Sequence, residues 1–176
     1  MMSLRLFHIS ETAGIERFDP RPSPSFFSAI RGDVVFGISG SLLHNYLLPR
    51  DCPRVSFYAG ASTSSEDRDR FFGFSSARFV VAIEAAWLQR VSETRLYRYE
   101  FPVDGFELLD AVAGYYVSYL PVIPLEERRI DDCLAAILLS GDVELRVVPE
   151  LWSLGKAVAG SSLAYSLIRM RNAKRS

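Results

Sequence analysis

Short apolar runs, each cut off by glycine or proline, set the rhythm of this chain and predict a succession of strands and brief helices. The stretch LRLFHI, residues 4–9, alternates weakly and reads as a first strand ending around His8, Ile9 and Ser10. Residues 11–31 carry Gly14, Pro20, Pro22 and Pro24 among polar side chains, the pattern of a loop with one short helical turn, suited to a lid. Val34, Val35 and Phe36, bounded by Gly32 and Gly37, predict a buried strand. A short helix follows. Ser39 or Ser41 caps it, Leu43 and Leu47 recur at helical spacing, and Pro49 biases Leu48 away from helical dihedrals. Arg50, Asp51, Cys52 and Arg54 then crowd a corner stiffened by Pro49 and Pro53, ahead of a strand from Val55 to Tyr58.

Residues 61–70 (ASTSSEDRDR) are almost without apolar content and predict an exposed loop. Phe79 to Glu84 is a continuously apolar strand, followed by a short helical segment to Arg90. Two more strands follow, Arg95 to Phe101 with Tyr97, Tyr99 and Phe101 on one face, and Tyr115 to Leu120. The clearest helical pattern runs from Leu125 to Leu139, with Glu126 and Glu127 near its start and Ile130, Leu134, Ile137 and Leu138 as one stripe. Val143 to Val148 predicts a strand with Glu144 and Arg146 on the face opposite Val143, Leu145 and Val147. The final segment fits a helix through Leu163, Leu167 and Met170, while its serines and β-branched residues fit a strand; the helix is preferred.

Strands alternating with short helices predict a compact α+β fold with a mixed or antiparallel sheet, not a doubly wound one. With 176 residues, 49% hydrophobic and 23% charged, the chain has material for one well-buried core, so residues 1–176 are expected to form a single domain. Twenty basic against 21 acidic side chains leave a net charge of -1, without a global pull toward nucleic acid or an anionic membrane. No apolar run approaches the ~18 residues of a membrane span, and MMSLRLFHIS lacks a secretory layout, which predicts a cytoplasmic protein.

Chemistry changes the picture only locally. Cys52 and Cys133 match no metal spacing, and His8 and His44 lie in no metal motif, so no metal site is expected. Neither GxGxxG nor GxxxxGK is present, and the serines near Gly37 do not form a GxSxG elbow. Cys52 beside Arg50 and Arg54 has the makings of a thiolate with His44 as base, but a helix turn and a proline corner separate the two. Arg21, between two prolines, is a fork for a phosphate or carboxylate. Glu84 and Glu144, each in an apolar strand, either reach solvent or have a role.

As a whole the chain resembles an uncharacterised bacterial family that opens with LFHIS and carries NYLLPRDCPRVSFY, a likeness that brings no activity with it. More distantly, His8-Ile9-Ser10, then GDVVFGISGSLLHNY, then a late strand carrying Glu144 are similar to ADP-ribosyltransferases of the poly(ADP-ribose) polymerase and diphtheria-toxin type, which follow a His, Tyr, Glu order. That resemblance implies their fold, with NAD as the small-molecule nucleotide substrate. It implies His8 on the nicotinamide-side ribose, Ser10 on the carboxamide, Tyr46 stacked on nicotinamide after Asn45, and Glu144 as the catalytic carboxylate, with Glu84 as its alternative. The chain departs from that family at Val35, where the first tyrosine falls, and at Leu43, where a polar contact is usual. The rival expectation is a non-catalytic module in which Arg21, Arg50 and Arg54 hold an anionic ligand or partner.

Overall fold

Leu6, His8 and Ser10 point to one side of the first strand, β1 (Leu6–Ser10), which lies inside a six-stranded antiparallel sheet in the computed structural model. The structure describes residues 3–175. The chain forms two units, Met1–Tyr46 with Arg95–Asp131 and Leu47–Thr94 with Asp132–Ser176. The fold is α+β, with two mostly antiparallel sheets and short helices.

In the first unit, β1 is flanked by β2 (Val35–Ser39) and β5 (Leu96–Phe101), and the sheet is completed by β6 (Glu107–Asp110), β7 (Tyr115–Ser118) and β8 (Glu126–Ile130) in the order β6-β7-β2-β1-β5-β8. Leu6, Val35, Tyr99 and Phe101 bury one face of it together with Val122. The proline-rich segment 11–31 is a loop with one hydrogen-bonded turn, Ile30 N–H to Phe27 O at 3.1 Å. It is tied down at Phe18, whose backbone exchanges two 2.8 Å hydrogen bonds with Val122 and whose ring packs on Tyr99 and Phe101. At Gly37 an added Cβ would meet the Phe106 ring at 3.0 Å, so any larger residue there requires that ring to shift.

The second unit is a four-stranded sheet, β10-β3-β4-β9, built from β3 (Arg54–Tyr58), β4 (Phe79–Glu84), β9 (Val143–Val148) and β10 (Ala164–Ile168). Only β4 and β9 run parallel. Val55, Phe57, Val80 and Ala82 form the apolar face, covered by Phe71 and Phe72 of α1 (Ser65–Phe72) and by Leu151 and Val158 at α4 (Trp152–Ala159). An added Cβ at Gly155 would meet Met170, Leu167 and Val55 at 3.4–3.6 Å, ordinary contact distances that show how closely this face of α4 packs on the sheet.

Several elements depart from the sequence pattern. The expected loop over 61–70 carries α1: Ser64 caps it by accepting from Asp67 N at 3.1 Å, Glu66 and Asp67 suit its first turn, and the two phenylalanines at its end bury against Phe57. The helix expected over 125–139 splits. Residues 126–130 pair with β5 as the charged edge strand β8, and only α3 (Cys133–Leu138) is helical, capped by Asp132 on Ala135 N at 2.9 Å. The final segment, read as a helix, is mainly β10, because Ala164–Ile168 completes the ladder on β3 residue for residue. The turn after β2 is a 3-10 helix, Gly40–Tyr46, and neither α4 nor β6 was anticipated.

At the end of β4, Glu84 is 1% exposed, and its carboxylate accepts from Leu151 N at 3.2 Å and from Lys174 N at 3.0 Å. Glu84→Ala leaves both amides without that acceptor inside the unit and is expected to lower unfolding free energy by about 3 kcal/mol, with Glu84→Gln costing less. Urea unfolding measures the loss, and amide exchange at Leu151 and Lys174 should accelerate with it.

Candidate functional site

In the first unit, His8 is half-buried on the apolar side of β1. Its Nδ1 lies 3.2 Å from Phe36 O, and its ring packs at 4.8 Å from Phe18 and 5.9 Å from Phe101. Ser10, two residues on, shares that side and accepts from Thr12 N at 3.0 Å. Phe36 and Tyr115 occupy the opposite face by strand alternation, and Tyr115 lies 5.6 Å from the Tyr46 ring. The Tyr46 hydroxyl donates to Ala113 O at 3.0 Å, so the ring is held at both ends. Asn45 beside it is buried. Arg21 is pinned through its backbone, which exchanges hydrogen bonds of 3.0 and 2.9 Å with Val34 and leaves the side chain exposed.

In the second unit, β9 pairs Glu144 with Val80 and Arg146 with Ala82, which puts a carboxylate and a guanidinium on the apolar side of the sheet. Each answers the other. Arg146 Nε meets Glu144 Oε1 at 2.6 Å, its second nitrogen donates to Phe71 O at 2.5 Å, and its guanidinium stacks 5.5 Å from the centre of the Phe57 ring. Burial works against ionising Glu144, but hydrogen bonds from Ser75 and Arg146 outweigh it and hold the carboxyl below its ordinary range. Ser75 also lines a cavity of about 240 Å³ with Arg68, Gly73, Ser76 and Arg78, so the ionised carboxylate sits one side chain behind a cationic hollow. Sequence reading misses Arg68, which lies within the polar run 61–70, and Ser75 and Arg78, which follow it; the available signal is Ser75-Ser76-Ala77-Arg78 just past Gly73.

The proline corner has a different use. Arg54 is 3% exposed, and its guanidinium donates to Cys52 O at 2.7 and 2.9 Å and to Pro49 O at 2.9 Å. It braces the corner from inside. Cys52 is fully buried, and burial pushes its thiol up to about 11, with Arg54 opposing and Glu84 adding to the effect. The thiolate that Arg50 and Arg54 were expected to favour is therefore not the resting form. Arg50 and Asp51 are exposed, and the Asp51 carbonyl accepts from Asn172 at 2.8 Å. Glu84 is engaged by backbone amides, as described above. Among the described residues no group of three or more His, Cys, Asp or Glu side chains is arranged to hold a metal ion, and no helix is long and apolar enough to cross a membrane.

A protein family described only as a family of unknown function, DUF6886, matches residues 7–173. Neither a curated protein nor a solved structure matches the chain.

His44, buried on the 3-10 helix, has its imidazole pushed down from 6.5 to about 4 by burial. Unfolded chains take up that proton as pH falls through 6.5, while the folded chain refuses it until about 4, so stability is full above 6.5 and declines below. The decline should amount to about 3 kcal/mol by pH 4. His44→Leu should remove that share of the acid sensitivity, as read from urea unfolding across the same interval.

Proposed function

The chain belongs to that family of unknown function, and we propose that it is an ADP-ribosyltransferase-like enzyme acting on NAD. The observation that carries this reading is Glu144: a carboxylate on the apolar side of a sheet, kept ionised by Ser75 and Arg146. Cleavage of the nicotinamide–ribose bond sends the bonding pair into the pyridinium ring and leaves positive charge on the ribose carbon. A fixed anion stabilises that charge more than it stabilises the ground state. Glu144 takes this role. Glu84, the other carboxylate considered, has its oxygens on two backbone amides and suits an architectural duty better.

Within the first unit the Tyr46 ring packs on Tyr115, on the face of the sheet opposite His8 and Ser10, so these three do not hold one nicotinamide together and the reading rests on Glu144. The acceptor's nucleophile attacks the ribose carbon and loses its proton, and nicotinamide departs neutral.

One observation favours a second reading, a binding module without catalysis. The 2.6 Å pair between Glu144 and Arg146 is also what a purely structural ion pair requires. In such a module Arg21 and Arg50, both exposed, remain the anion-holding candidates, while Arg54 is engaged inside the corner.

The two readings separate in one pair of measurements. On the enzymatic reading NAD raises the melting temperature, nicotinamide is released, and Glu144→Gln lowers release about a hundredfold or more while NAD binding persists. Absence of both the thermal shift and the release rejects the enzyme and leaves the module.

A further inference from the structure

The cavity at the end of α1 has a chemistry of its own. Its wall runs from Arg68 and Asp69 on the helix, through the turn at Gly73, Ser75 and Ser76, to Arg78 at the start of β4. Two arginines face one aspartate there, a surplus of one positive charge. Among the described residues neither Arg68 nor Arg78 forms an ion pair; Arg78 only stacks over Phe79, 5.3 Å from the ring centre. Two guanidiniums at one hollow repel each other, and an anion between them reverses the sign of that interaction.

The turn itself is preorganised. Gly73 takes φ +53° and closes α1 by donating to Asp69 O at 3.0 Å, Ser75 N donates to Phe72 O at 2.8 Å, and the Ser75 hydroxyl accepts from Ala77 N at 3.1 Å. The backbone of Arg78 is fixed by a 2.8 Å hydrogen bond to Asp142 O. The backbone that carries Arg78 and the two serines is therefore held in place, and binding has to order only the exposed side chains.

Size narrows the ligand. A volume of about 240 Å³ falls below the roughly 300–1,000 Å³ of pockets that enclose whole drug-sized molecules, so the hollow takes a group and not an entire nucleotide. We propose that the hollow lined by Arg68, Ser75, Ser76 and Arg78 is a binding site for the phosphate or pyrophosphate group of a small-molecule ligand whose remainder lies outside it. The arginines supply forked donors and charge; the Ser76 hydroxyl supplies a further donor. The proposal needs neither NAD nor Glu144 chemistry.

Titration of the protein with inorganic pyrophosphate by calorimetry tests it, with inorganic phosphate and sulfate as smaller comparators. Saturable pyrophosphate binding is expected, weakening as sodium chloride rises. Arg68→Gln and Arg78→Gln should each weaken it about tenfold, and the double variant should abolish it. Both side chains are exposed, so the variants should retain the parent melting temperature, and Ser76→Ala provides a neutral substitution expected to weaken binding a few-fold. Absence of saturable binding in the parent protein overturns the proposal. Binding that survives in the double variant also overturns it, by placing the anion elsewhere. Because no NAD turnover enters the measurement, this result and the fate of the glycosidic reading are independent.

Discussion

A charge removed from water has to be answered, and the second unit is arranged around two such answers. Glu84 closes β4 with a carboxylate that gathers the start of α4 and the C-terminal segment through Leu151 N and Lys174 N. Because one side chain holds two segments distant in sequence, the end of β4 acts as a clasp on the sheet. Glu144 is answered differently, by a guanidinium on its own strand and a hydroxyl from the turn after α1. The first carboxylate is locked to the backbone. The second is held by side chains beside a hollow, and that difference in partners makes it the better candidate for chemistry.

Rings do the corresponding work in the first unit. Phe18 reaches from an irregular, proline-rich loop onto Tyr99 and Phe101 and packs against His8 on the way. The loop is anchored there by apolar contact and by the ladder bonds to Val122. Tyr99 adds a polar tether, donating to Thr12 O at 2.7 Å and accepting from Ile15 N at 3.2 Å. Composition marks this segment as a loop. The anchoring decides its path.

Strands with a clear burial pattern were legible: β1, β3, β4, β5, β7 and β9 lie within a few residues of their expected positions, because alternation or continuous apolarity directly encodes which face is hidden. Two of the failures share one cause. EERRI followed by an apolar stripe satisfies helical periodicity, but residues 126–130 meet the open edge of β5, whose backbone groups offer a ladder that local propensity cannot foresee. Ala164–Ile168 is the same case on β3. For α1 the cap at Ser64 and the acidic first turn were readable, and the polarity of the run concealed them. Chain order alone singles out His8, Ser10, Tyr46 and Glu144 and does not show that they lie apart, and it passes over Arg146, Ser75 and the two cavity arginines, whose relevance comes from contacts across strands and turns.

Taken alone, the amino-acid sequence determined the α+β class, the corner braced by Pro49 and Pro53, and which strands are apolar, because these follow from local sterics and from burial along one segment. Tertiary structure decided which charges meet. Glu84 found amides 67 and 90 residues away, Glu144 found its partners through the register of β9 and the turn after α1, and Arg54 folded inward onto carbonyls although its neighbourhood suggested an exposed grip. Side-chain electrostatics acts over a few ångströms of space regardless of separation along the chain, so these pairings exist only once the strands are in register.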